Sequence, residues 1–231
     1  MVRIEARRCR AAQPRRRTGK PQHRVSRGTR EPRLHVEVIT SRALYTTGNE
    51  KYQPPLLQLW EHSIACAHAS QVISRFKLIG NPDEVFIMGL LHDIGKLLLL
   101  QILADLEARG RSMAGLTTEA QIEFIQAHHG RFGKAVLERW HFPEIHKRIA
   151  LETDAGALPD FPPPELLVVR FANLLAMNLG YRLGTAETVE LDGTELAKML
   201  ELRSDEITQV ADEVKARVEE TRNFVAGGTT S

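Results

Sequence analysis

Gly89-Leu90-Leu91-His92-Asp93-Ile94-Gly95-Lys96 decides how this chain is read. It sets a histidine directly beside a carboxylate inside an apolar helical run, then closes with a glycine and a lysine. Neighbouring helical positions lie about 100° apart around the axis, so an imidazole nitrogen and a carboxylate oxygen can lean toward one ion. A charge among Leu90, Leu91, Leu97 and Leu98 is costly unless something pairs with it. Asp93 therefore demands a partner.

Upstream, Leu56, Leu59, Trp60, Ser63, Ile64, Ala67, Val72 and Phe76 recur at three- and four-residue spacing and predict a long helix ending before Gly80. Asn81-Pro82-Asp83-Glu84 starts the next one, with Asn as N-cap, Pro at the first helical position and acids in the first turn. That helix carries Val85, Phe86, Met88, Leu90 and Leu91 into the His92-Asp93 pair, and a further helix from Leu97 to about Ala108 stops at Gly110. Thr118-Glu119-Ala120-Gln121 has the pattern of a capping box. It opens a helix bearing Ile122, Ile125, His128, His129 and Phe132 that runs past Gly133 to Trp140. Pro143 begins a short helix to about Leu151, residues 153–164 form a loop, and Glu165 to Leu179 is an apolar helix closed by Gly180. Ser204-Asp205-Glu206 caps a final amphipathic helix with Ile207, Val210, Ala211, Val214 and Val218 on its apolar face. No strand pattern and no internal repeat is found. The expected fold is all-α.

With 231 residues and 42% hydrophobic content, the chain can bury one sizeable core or two small ones. Its only cysteines, Cys9 and Cys66, argue against a disulfide scaffold and fit a reducing cytoplasm. The run Leu97 to Leu103 is interrupted by Gln101 and bounded by Lys96 and Asp105, so no stretch is expected to supply the roughly 18 apolar residues of a membrane span. Residues 1–33 hold twelve Arg or Lys against Glu5 and Glu31, without apolar periodicity. Residues 1–40 are therefore expected to be a disordered basic leader, 41–226 the folded domain, and 227–231 a flexible tail. The leader has no apolar run of the secretory kind. Nucleic acid could be contacted only through it, and no aromatic residue is interleaved there for base stacking.

The chemistry-bearing candidates fall on separate predicted helices: His62, the pair His92-Asp93, the pair His128-His129, and Asn173. Facing side chains at the centre of a helical bundle can build a metal site. Three nitrogens and a carboxylate suit a divalent ion such as iron, manganese or zinc, able to polarise a phosphoryl oxygen. The alternative for His92-Asp93 is a hydrogen-bonded pair that fixes helix packing, with Asp93 accepting from His62 or a backbone N–H. Lys96, taken by itself, reads as a solvated lysine after a helix kink. His128 reads as a helix-surface neighbour, His68, His141 and His146 as surface or packing residues, and Trp140 and Pro143 as turn residues. Cys66 reads as core rather than nucleophile.

Three spaced motifs stand together: Leu59-Trp60-x-His62-Ser63; Phe86-x-x-Gly89-Leu90-Leu91-His92-Asp93-Ile94-Gly95-Lys96; and Glu123, His129, Gly133, Leu137, Trp140 and Pro143 in succession. From about residue 42 to about 226 this pattern resembles the HDOD domain family, a branch of the HD superfamily of metal-dependent phosphohydrolases. The resemblance implies a helical bundle with the HD pair on a central helix. It also implies a bacterial signal-transduction module, of a kind often thought not to hydrolyse anything. It carries the superfamily's metal pattern onto His62, His92, Asp93 and Asn173. Asn173 departs from the pattern, offering a neutral oxygen where a hard cation gains from a carboxylate. His129 matches a histidine of the related HD-GYP phosphodiesterases. Those enzymes continue with a further histidine pair where this chain reads Ala150-Leu151-Glu152-Thr153-Asp154, and their Gly-Tyr-Pro signature is missing. A two-metal phosphodiesterase site is therefore not expected.

HDOD domains usually begin with a lobe of short helices, of which only Ile39 to about Asn49 could be a remnant here. Exposed apolar surface is accordingly expected on the helix from 56 to 79. The favoured function is a regulatory module with little or no catalysis that binds a protein partner or a nucleotide-like signal. The alternative is a metal-dependent phosphohydrolase or phosphodiesterase using His62, His92, Asp93 and His129, with Lys96 on phosphate.

Overall fold

The structure, a computed structural model, describes residues 42–111, 117–184 and 188–227, and within them eight helices with both ends described follow a helical stretch at residues 42–44. They are α1 (Gln53–Lys77), α2 (Pro82–Leu91), α3 (Ile94–Ala108), α4 (Thr118–Arg139), α5 (Glu144–Glu152), α6 (Pro164–Asn178), α7 (Glu195–Met199) and α8 (Ser204–Gly227). No strand occurs among the described residues. The expected leader and most of the expected tail lie outside them.

Helix α1 is the axis of the bundle, with α2, α6 and α8 packed around it and α4 reached through α3 and α5. Every residue of α1 from Leu59 to Ser74 except Glu61 is buried. Glu61 pairs with Arg222 of α8 at 2.8 Å. The exposed apolar surface expected on residues 56–79 is confined to Leu57 and Phe76, with Leu78 beyond the helix end. The other helices and Tyr45, whose hydroxyl donates to Ser63 Oγ at 3.2 Å, close over the rest. Phe86, Leu97, Ile125, Leu137, Ile149, Leu166 and Phe171 complete a core shared by α2 to α6.

Helix ends follow the sequence signals closely. Asn81 caps α2 by accepting from the Asp83 N–H at 3.0 Å. Helix α4 is capped one residue earlier than the capping-box reading predicts: Thr117 accepts from the Ala120 N–H. Helix α7, five residues opened by Thr194, has too few turns to give a periodic signal and is not predicted.

The expectation that no stretch is long and apolar enough to span a membrane needs correction. Pro82–Ala108 passes on length and composition, with mean hydropathy 1.7. Most of its apolar stretch (72%) is buried inside the bundle, and the helix is interrupted at His92-Asp93, so its apolar surface is spent on the core.

Candidate metal centre

Two glycines let the site assemble. A Cβ on Gly89 would lie 2.9 Å from both Ala67 Cα and the Cys66 carbonyl, so only glycine lets α2 ride this close to α1. A Cβ on Gly95 would land on the His129 carbonyl, with Gly133 N at 2.9 Å, so α3 and α4 cross backbone to backbone. The first approach brings His62 and His92 together, their Nε2 atoms 3.2 Å apart. The second brings His129 Nε2 to 3.8 Å from Asp93 Oδ1. Of the residues read as candidates on separate helices, His62, His92, Asp93 and His129 therefore converge.

The imidazoles are fixed from behind. His62 Nδ1 lies 2.8 Å from the Tyr181 carbonyl, and His92 Nδ1 lies 2.7 Å from the Gly89 carbonyl. A carbonyl only accepts, so each Nδ1 carries the proton and donates. In the neutral rings both Nε2 atoms are left with lone pairs that face each other, and Asp93 Oδ2 stands 3.5 and 3.4 Å from them. His129 repeats the pattern, with Nδ1 on the Gln126 and Ile125 carbonyls at 2.9 and 3.2 Å. Backbone carbonyls that set the tautomer and aim Nε2 inward are what metal-ligating histidines require.

Charge is concentrated where water is scarce. Asp93 is 1% exposed, yet burial is outweighed by His92 and Lys96, which hold its carboxyl below the usual range. Burial pushes His62 down to about 4. For His92 the burial penalty is overcome by the Asp93 carboxylate, and its pKa rises to about 10. Asp93 Oδ1 is buried with no hydrogen-bond partner among the described residues. An orphaned buried carboxylate oxygen is a poor neighbour without a cation, and an ion would take the place of the proton shared by the inward-facing Nε2 atoms. The donor set fits a divalent ion, which when bound would supply Lewis acidity toward a phosphoryl oxygen.

Two overlapping trios have ligand atoms within 4.8 Å of one another: His62, His92 and Asp93; and Asp93, His129 and Asp154. Asp154 is the residue that sequence reasoning missed. Its Oδ2 lies 3.0 Å from His129 Nε2 and 2.7 Å from Lys96 Nζ, while its Oδ1 accepts from Asn173 Nδ2 at 2.7 Å. Burial is outweighed by His129 and Lys96, which hold Asp154 well below the usual carboxylate range. Arg170 of α6, 6% exposed, shapes the segment on both sides of it by donating to the carbonyls of Glu152, Ala155 and Ala157. The negative oxygen missing at position 173 thus arrives from a loop, and Asn173 meets it as a donor.

Lys96 is not the solvated lysine of one reading. It is 7% exposed and bridges Asp93 Oδ2 at 2.9 Å and Asp154 Oδ2 at 2.7 Å. Burial disfavours its ammonium, but the two carboxylates hold its pKa above the ordinary lysine value. Cys66 is core, with its thiol toward the Val169 carbonyl. His128 is exposed against Phe124, His68 and His146 are buried packing residues, and His141 sits in the turn after α4 at positive φ.

No curated protein matches the chain. Among solved structures it is similar to a protein from Shewanella amazonensis SB2B assigned by name as a metal-dependent phosphohydrolase. The TM-score is 0.58 at 22% identity, over 78% of this chain and 66% of that one. At such identity the likeness speaks to the fold, and this chain spans just under two thirds of that structure's length. The HDOD domain model matches residues 33–155, which include His62, His92, Asp93, Lys96, His129 and Asp154 but not Asn173. Covering more than half of the sequence, that match places the chain in the HDOD domain family.

Proposed function

We propose that the protein is a regulatory HDOD module that holds a divalent metal ion on His62, His92 and Asp93 and acts by binding a protein partner, with little or no turnover. The observation that carries this reading is how closed the centre is. His62, His92, Asp93, Lys96 and His129 are all buried, and among these site residues Asp154 alone reaches solvent, its side chain 26% exposed. A substrate phosphate has to reach the ion, and packing that leaves Asp93 1% exposed makes that approach narrow. An ion so enclosed serves to cross-link α1 with the α2–α3 junction, as structural metals do. The module would work in the bacterial cytoplasm, and a nucleotide-like signal is the other ligand the family suggests.

A metal-dependent phosphohydrolase is the second reading. Asp154 favours it, because a carboxylate at the rim beside His129 supplies the negative donor that Asn173 lacks. In that reading Lys96, released from Asp154, would contact phosphate.

Metal analysis and turnover on one purified sample separate the two. The regulatory reading expects bound iron, manganese or zinc that disappears in Asp93→Ala, and no hydrolysis of a generic phosphodiester by the loaded protein. Hydrolysis abolished by Asp93→Ala would establish the enzyme instead. A chain that never retains metal sinks both.

A further inference from the structure

We infer that the Lys96 ammonium fills the place of a second cation, so that the centre takes a single divalent ion and Asp93, His129 and Asp154 form a latent second site that removal of the lysine opens. This rests on the metal-holding reading above and adds to it a stoichiometry and the residue that sets it.

The geometry is specific. Lys96 Nζ touches Asp93 Oδ2 at 2.9 Å and Asp154 Oδ2 at 2.7 Å, the two carboxylates that a pair of ions would share. The same Asp154 Oδ2 is the oxygen nearest His129 Nε2, at 3.0 Å. The atom that would complete the second trio is thus already engaged by a positive charge. That charge cannot drift away cheaply: Lys96 is 7% exposed and lies in the first turn of α3, three residues from Asp93. Two carboxylates offset an ammonium and half of one dication, leaving one positive charge in a buried space; a second dication would leave three.

The trio is nevertheless equipped to bind. Asp93 Oδ1 is buried without a hydrogen-bond partner among the described residues and points toward His129 Nε2 at 3.8 Å. The His129 ring is already held by the Gln126 carbonyl through Nδ1, so its Nε2 is presented to the space between the carboxylates. Remove the ammonium, and a carboxylate oxygen on each side of an imidazole nitrogen remains. Carboxylate and imidazole together suit manganese or zinc.

The test is metal stoichiometry on the full chain. Chelator-stripped wild type, Lys96→Met and Lys96→Arg would be titrated with manganese, and bound metal per chain measured by equilibrium dialysis with elemental analysis. One equivalent is expected for wild type and Lys96→Arg, and two for Lys96→Met. Adding His129→Ala to Lys96→Met should return the count to one. Two equivalents in wild type, or one in folded Lys96→Met, would overturn the inference. Should Lys96→Met not fold, electron paramagnetic resonance of manganese-saturated wild type decides: isolated-ion spectra at all loadings support the inference, and an exchange-coupled pair defeats it. Wild type that takes no metal at all rejects the parent reading, and this one with it.

Discussion

The two trios around Asp93 differ in almost everything except the aspartate they share. His62 and His92 stand on α1 and at the end of α2, both under 5% exposed, with ring nitrogens locked by the Tyr181 and Gly89 carbonyls. His129 and Asp154 stand on α4 and in a loop, and Asp154 reaches solvent. The first trio is closed by helix packing, with one carbonyl from beyond α6, that of Tyr181, behind His62. The second depends on Arg170 and Asn173 of α6 to present a loop carboxylate, and it contains an ammonium. A helix-borne site is rigid because its supports are the core itself; a loop-borne one can be rearranged without unfolding anything.

Gly95→Ala tests the second trio most severely. The new Cβ meets the His129 carbonyl, backbone that cannot swing aside, so the predicted loss is about 3 kcal/mol, at the upper end of overpacking costs. Urea unfolding measures it. A variant as stable as wild type would show that α3 and α4 can part without harm, and the close crossing would lose its significance.

Single histidine removals compare the trios directly. His62→Ala should weaken metal binding by more than the ~10–100-fold that losing an outer-shell partner costs, because it deletes a ligand. His129→Ala should stay within that ~10–100-fold range, since with Lys96 present it acts by holding Asp154. Equal losses in isothermal titration would erase the distinction.

The smallest change per step comes from pH, taken one unit at a time. With its pKa raised to about 10, His92 is protonated at neutral pH, and an ion must displace that proton. Metal affinity should therefore climb with pH, by at most ~10-fold per unit for one displaced proton, and level off once pH passes about 10. Affinity flat between pH 7 and 9 would mean that the ion does not use His92 Nε2.

The same contrast governs what could be read in the sequence. Helices α1 to α6 and α8, and the meeting of His62 with His92-Asp93, follow from periodicity, caps and a run of motif residues, all of which are local or fixed by helix geometry. His129 was legible for the same reason. Asp154 was not. It lies in a Gly-, Asp- and Pro-rich segment with no period, and what brings it inward is tertiary: carbonyls of residues 152, 155 and 157 gathered on Arg170. Nothing in the spacing links Arg170 to those carbonyls, and position 173, where a carboxylate was sought, holds instead the amide that receives one. The burial of Lys96 was hidden likewise, because its second partner lies 58 residues away in that loop.

The interruption between α2 and α3 has one more effect. Pro82–Ala108 is greasy and long enough to be mistaken for a bilayer segment while the chain is still unfolded. Asp93 falls near its midpoint, where an aspartate adds about 2.5–3.5 kcal/mol to the cost of insertion. The carboxylate that gathers the histidines also discourages the nascent polypeptide from straying into lipid before its bundle has closed.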